Sequence, residues 1–166
     1  MTTIIPGRFA AAHDGPLVVF IIGMRINHFR KLSKWWPVFR AMRPMIAELA
    51  ANPASGFLGV ETMLASPRTI VSVQYWRDFD SLEAYARSRD QRHWPAWVAF
   101  NKAVGSDGTV GIFHETYCVA AGGFETIYGN MPKFGLGKVA GLAPATGARN
   151  EARSRMQAAL TGSAEG

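Results

Sequence analysis

One cysteine, Cys118, stands among 166 residues. A single thiol excludes an intrachain disulfide framework and the paired spacings of zinc or dithiol redox centres. Cys118 closes an apolar strand and reads as a small buried hydrophobe. Acidic residues are also few, 12 against 18 Lys and Arg, for a formal charge of +6. Such an excess can serve nucleic acid or an anionic surface. Here the basic residues are scattered, and no Lys/Arg run interleaved with aromatics marks a nucleic-acid module. Long apolar runs are missing too. The most apolar stretch, LVVFIIGMRI at residues 17–26, contains Arg25 and falls well short of the ~20 residues a membrane-spanning helix needs. The N-terminus lacks a basic region followed by an apolar core and a cleavage site, so the expected compartment is the cytoplasm. GxGxxG, P-loop and HExxH patterns are absent, which removes the nucleotide and zinc-protease classes that depend on them.

What is present describes a globular domain. Hydrophobic residues make up 48% and charged residues 18%, outside the disordered and collagen-like ranges. Residues 1–16, with Pro6, Gly7, Gly15 and Pro16, read as an N-terminal arm. Residues 17–137 read as the folded domain. Residues 138–166, rich in Gly, Ala and Ser, read as a flexible C-terminal tail with room for a short helix at 150–160.

Within the domain, residues 17–27 are β-branched and apolar on both faces, as in a strand covered on two sides. A helix follows from Ser33 to Ala51, with Ser33 as N-cap, Pro37 in the first turn and a kink at Pro44. Its buried stripe runs Trp36, Phe39, Arg43, Ile46, Leu49. FLGVETMLAS (57–66) and RTIVSVQYWR (68–77) form a hairpin across Ser66-Pro67. Val71, Val73 and Tyr75 share one face of its second strand, and Ser72, Gln74 and Trp76 the other. Asp80-Ser81-Leu82-Glu83 resembles a capping box and opens a second helix with Leu82, Tyr85 and Ala86 inward. A further helix starts near Pro95, and a last strand spans about 109–119. The order β-α-β-β-α-β predicts an α+β, ferredoxin-like domain. One face of its sheet is left for another body, and a second copy closing a dimeric α/β barrel is the simplest cover.

The chemistry-bearing residues are few. Period two on the last strand puts Val110, Ile112, His114 and Thr116 on one face, and Phe113, Glu115 and Tyr117 on the other. His114 and Glu115 therefore do not form a contacting acid–base pair. Glu115 reads best as an ion-pair partner. His93 lies at a helix start, and both it and His114 are expected to face the space between helices and sheet. Two imidazoles around an apolar gap suit haem or a metal. Trp76, Trp94, Trp97, Phe100, Met42 and Met45 are candidates for its walls, and each taken singly also suits ordinary core. His13 and His28 are weaker candidates. Arg25, Arg30, Lys31 and Lys34 surround His28 and could meet an anionic group.

VQYWRDFDSLEAYARSRDQRHWPAW (73–97), GIFHETYCV (111–119) and GGFETIYGNMPKFGLG (122–137) resemble the monooxygenase-family proteins of the dimeric α/β-barrel superfamily, which is ferredoxin-like and includes the antibiotic-biosynthesis monooxygenases. The strand end Trp76-Arg77-Asp78, the Leu82-Glu83 helix, His93 and the strand Phe113-His114-Glu115 are more distantly similar to haem-containing aldoxime dehydratases. That resemblance implies haem b held by His93, with His114 as the catalytic acid–base group on the distal side. It supplies no match for the distal serine and arginine of those enzymes. Three functions follow as expectations. One is a homodimeric haem enzyme that dehydrates or oxygenates a small, largely apolar molecule. The second is a cofactor-free oxygenase or isomerase using His114 as base, with Trp76, Tyr75 or Asn101 near the substrate. The third is a non-catalytic haem- or ligand-binding protein.

Overall fold

A computed structural model describes residues 3–87, 98, 101, 102 and 104–162. The chain divides into two compact units, one of residues 20–116 and the other of residues 1–19 and 117–166.

Residues 20–116 carry the layer expected from the sequence. Strands β2 (Leu17–Ile26), β3 (Phe57–Ser66), β4 (Thr69–Trp76) and β5 (Val110–Val119) order as β3-β4-β2-β5. Helix α1 (Leu32–Ala51) follows β2, and α2 (Phe79–Arg87) follows β4. Val98, Asn101, Lys102 and Val104 are helical. This order and topology are ferredoxin-like, and within one chain the sheet is not closed into a barrel. β3 and β4 form the predicted antiparallel hairpin, with Thr62 opposite Ser72 and Val60 opposite Gln74. The core joins Met24 and Ile26 of β2, Val38 of α1 and Val110 of β5, with Trp35, Phe39, Ile70 and Val104 packed around them.

Local details differ from the sequence reading. α1 starts at Leu32 and has no side-chain cap, so Ser33 is not its N-cap and Pro37 lies inside the helix with Pro44. The turn before it is closed by backbone bonds, Lys31 N to His28 O and Lys34 N to Lys31 O, which replace the capping hydroxyl. Trp36 of the predicted stripe is 44% exposed. The covered face runs instead through Trp35, Val38, Met42, Ile46 and Leu49, again at spacings of three and four. α2 is capped by Asp78 rather than Asp80: Ser81 N donates to Asp78 Oδ1 at 2.7 Å. Cys118 is exposed, because β5 is an edge strand that only one neighbour flanks.

The other unit has a three-stranded antiparallel sheet that the sequence reading did not contain. Its strands are β1 (Ile5–Ala11), β6 (Tyr128–Met131) and β7 (Leu142–Pro144), in the order β6-β1-β7. Helices α3 (Gly135–Val139) and α4 (Ala152–Gly162) complete it. Arg155, with its side chain 8% exposed, ties α4 to Glu125 at 2.7 Å. Arg149 pairs with Asp14 at 3.0 Å. No helix among the described residues is long and apolar enough to cross a membrane.

Candidate functional site

A cleft of about 630 Å³ lies between the sheet and the helices of the 20–116 unit. Phe20 and Ile22 of β2 form its floor with Ile112, His114 and Thr116 of β5. Met42 and Met45 of α1 and Leu82 and Ala86 of α2 form its roof. Alternation along β2 and β5 produces the floor, since residues two apart share a face. Met42 reaches it from the covered stripe, and Met45, three residues on, from the stripe's edge. Among the described lining residues, polar groups are His114, Thr116, Asn101 and the Glu83–Arg87 ion pair, whose two ends lie one helical turn apart at 2.8 Å.

His114 lies where the strand pattern puts it. Its ring leans on Phe20, with centroids 5.7 Å apart and planes at 39°. It is exposed and reaches both cleft and water. An imidazole so placed can take a proton from a guest in the cleft and pass it to solvent. Glu115 faces the opposite way, as predicted, and His114 is the one imidazole among the described cleft residues.

Two further hollows adjoin the cleft. One, of about 110 Å³, runs behind Phe20 to Gln74, Trp76, Leu82 and Tyr85. The other, of about 350 Å³, runs under α1 to Val38, Ile70, Thr62 and Ser72. Ile22 and Met42 line all three spaces. Burial pushes the Tyr85 phenol up to about 12, and the nearby Glu48 carboxylate adds to the rise. Tyr85 is therefore a neutral phenol at physiological pH.

Of the residues singled out from sequence, the structure brings His114, Met42, Met45 and Asn101 into the cleft, whereas Tyr75 shares the outer sheet face with Val71 and Val73. Trp76 is fully buried at 0% exposure and borders only the small hollow. Its Nε1–H donates to Gln74 Oε1 at 3.0 Å, and its ring packs against Phe57 and Tyr85. His93, Trp94, Trp97 and Phe100 lie outside the described residues. The basic cluster is dispersed: Arg25 Nη1 donates to Thr69 Oγ1, and Lys31 is held by Thr109 and Asp107. His13 belongs to the other unit, stacked on Phe124. Among the described residues no group of three or more His, Cys, Asp and Glu could hold a metal ion. The sequence reading missed Phe20, Ile22 and the Thr62–Ser72 pair as cavity walls. The available signal was β4 itself, where Ser72 and Gln74 share the helix-facing side with Trp76 while valines face outward.

Fold and site together define a ferredoxin-like α+β protein with an apolar, helix-covered cleft. Residues 17–136 match the family model described as Monooxygenase af470-like, and the chain belongs to that family. It is 30% identical over 136 residues to Monooxygenase af470 of Aspergillus fumigatus, covering 75% of this chain and 46% of that one. The chain thus spans less than half of the length of that relative. Among solved structures, an aldoxime dehydratase in complex with butyraldoxime matches with a TM-score of 0.61 at 15% identity, over 76% of this chain and 38% of that chain. A cofactor-independent oxygenase from Streptomyces nogalater matches with a TM-score of 0.41 at 17% identity, over 63% of this chain and 93% of that chain.

Proposed function

We propose that the chain is an enzyme of oxidative or dehydratase type, and that its reaction takes place in the cleft on a small, largely apolar molecule. The observation that carries this reading is the imidazole of His114, facing an apolar space large enough for a guest. His114 serves as the acid–base group, because an imidazole has one ring nitrogen to donate and another to accept a proton. Phe20 orients the ring, while Met42, Met45 and Leu82 exclude water from the far side. Membership of a monooxygenase-like family supports an enzyme.

Haem is the finer part of the proposal. The described walls suit a flat apolar guest with one imidazole beside it, and His93 is the residue proposed to hold the iron. Haem supplies Lewis-acidic, redox-active iron when bound. A cofactor-free reading uses the same His114 as base, and its place between the cleft and solvent supports that version equally, since a base that can pass a proton on to water needs no metal to act. Absorbance separates the two. Haemin titrated into the protein gives a saturable Soret band under the haem reading, and His93→Ala weakens or shifts it. A titration with no such band leaves the cofactor-free enzyme. Under either reading His114→Ala lowers turnover about 10²- to 10⁴-fold. Aldoximes assayed for nitrile under reducing conditions, and phenolic substrates assayed for oxygen uptake, identify the reaction. A His114→Ala protein with full turnover refutes the assignment.

We also propose that the outer sheet face pairs with a second copy. It presents Met63, Val71, Val73, Tyr75 and Phe113, and Met63 and Phe113 are 39% and 40% exposed. Burying such a face against its own copy is the economical way to close a sheet that one chain leaves open.

A further inference from the structure

The helix-facing side of the sheet carries hydroxyl groups where a core would carry methyls. Thr62 and Ser72 are cross-strand partners on β3 and β4, and their hydroxyls bond each other at 3.0 Å. Ser72 is 3% exposed. A mutual bond uses one of the two hydroxyl protons and leaves the second to donate. Among the described residues the pair makes no other side-chain hydrogen bond. Both hydroxyls line the hollow under α1, whose other described walls are apolar, among them Ile22, Met24, Val38 and Ile70, except for Arg43 of α1. Thr62, unlike Ser72, is exposed, so the spare proton goes to water until a guest covers the pair; an apolar guest then leaves it unspent at a cost, and an acceptor on the guest relieves it.

The strand ladders fix where this pair lies relative to His114. Ile26 N donates to Arg68 O, so four residues back along β2 Ile22 lies beside Ser72. Asn27 N donates to Thr109 O, so five residues back the same Ile22 lies beside His114. The close approaches of Gly23 to Phe113 and of Gly111 to Arg25 keep that second register. His114, Ile22, Ser72 and Thr62 therefore form one row across the inner face. Two strand spacings separate His114 from Ser72, roughly 10 Å. Ile22 and Met42 line both the cleft and the hollow and so join the two ends of the row.

We infer that the Thr62–Ser72 pair is a recognition site, donating a hydrogen bond to a carbonyl or ether oxygen at the far end of an elongated apolar substrate whose reacting atom lies at His114. This rests on the cleft being the active site. It narrows the substrate class to apolar molecules that carry an acceptor roughly 10 Å from the reacting centre. Simple hydrocarbons of the same length leave the hydroxyl proton unspent and are discriminated against.

The test uses the naphthalene ketone prodan, whose emission shifts to the red when its carbonyl accepts a hydrogen bond, and its deoxygenated propyl analogue. Wild-type protein binds prodan about tenfold more tightly than the analogue, the worth of one buried hydrogen bond. Bound prodan then emits as a hydrogen-bonded ketone. The Thr62→Val/Ser72→Ala double variant replaces both partners by apolar groups of similar shape, a change that is nearly neutral for folding. It abolishes the preference and shifts the bound emission to the blue, while the analogue binds at least as tightly as it does to the wild type. Thr62→Ser keeps both hydroxyls and keeps the preference. A preference that survives in the double variant overturns the inference, as does an equal loss for both probes. Equal binding of both probes by the wild type also overturns it and leaves the cleft reading intact. Binding of neither probe removes the cleft reading and this inference together.

Discussion

Replacing Trp76 by Phe removes the five-membered ring of the indole with its N–H, and the structure makes that expensive. Trp76 is 0% exposed and Gln74 is 5% exposed, and the indole N–H donates to the amide oxygen at 3.0 Å. Phenylalanine leaves that oxygen without its donor, at a cost of about 1–3 kcal/mol. It also widens a hollow that already holds about 110 Å³. Each ~30 Å³ of added void costs about 0.7 kcal/mol. Together these amount to about 2–4 kcal/mol, and at roughly 2–4 °C per kcal/mol the Tm falls by about 4–16 °C. Urea unfolding followed by far-ultraviolet circular dichroism, at fixed protein concentration, measures the loss as a lower midpoint at constant slope. The decisive arm is Gln74→Leu. Alone it orphans the indole N–H and costs a similar amount. Combined with Trp76→Phe it removes both partners, so the double variant is less destabilised than the sum of the single ones by about 1–2 kcal/mol. Strict additivity of the two changes would refute the hydrogen bond as the source of the cost.

Gly23→Ala drives a Cβ into the Phe113 ring and to 3.0 Å from the Ile70 carbonyl oxygen, an overpacking loss of about 1–3 kcal/mol that Phe113→Ala in the same chain largely restores, read by thermal unfolding. The Asp78 carboxylate accepts hydrogen bonds from Ser81 and Arg77, which hold its pKa at about 2, below the ordinary 3.8. Its contribution is therefore complete above pH 3.8 and is lost as pH falls toward 2, so Asp78→Asn lowers Tm at neutral pH and flattens the acid limb of the Tm profile. A profile with the same acid limb in both proteins refutes the capping role. Sedimentation gives twice the 18.1 kDa chain mass for the wild type, and Val73→Lys on the outer sheet face shifts it to one chain mass; an unchanged mass in that variant removes the outer face as the interface.

The order of strands and helices in residues 17–119 was legible because each element carries its own period. β2 is apolar on both faces, β4 alternates, and α1 repeats at three and four. These signals depend only on which side of an element meets the core. The helix starts were less legible. Ser33 and Asp80 both have side chains suited to capping, but the chain closes the first start with backbone bonds and the second with Asp78, one residue ahead of the apolar Phe79. Capping residues are common in the first turn as well as before it, so their presence alone does not set the boundary. The strands β1, β6 and β7 were not legible. They are short, and their pairing joins residues more than 100 positions apart, as Gly7 N to Asn130 Oδ1 illustrates. No local period announces such a contact.

The site divides along the same line. Alternation places His114 toward the helices, but it cannot say whether a helix-facing residue meets packed core or empty space. Val110 and His114 lie on the same face of β5, four residues apart. Val110 is 4% exposed against Met24, Ile26 and Val38, whereas His114 opens onto the cleft. The difference comes from α1, whose Val38 fills the space over Val110 while its unbranched Met42 and Met45 roof the cleft farther along. A row that reads as uniformly apolar thus changes along its length from core to cavity wall, and only the packing of a distant helix decides where. Trp76 and Met42, both candidates for the cavity wall, part for the same reason. The bulky indole is locked by Gln74 and two aromatic neighbours, while the flexible thioether chain borders every hollow in the layer. Residues with several rotatable bonds can adjust to a guest, so the plasticity of this cleft resides in α1 rather than in the aromatic residues that composition alone would nominate.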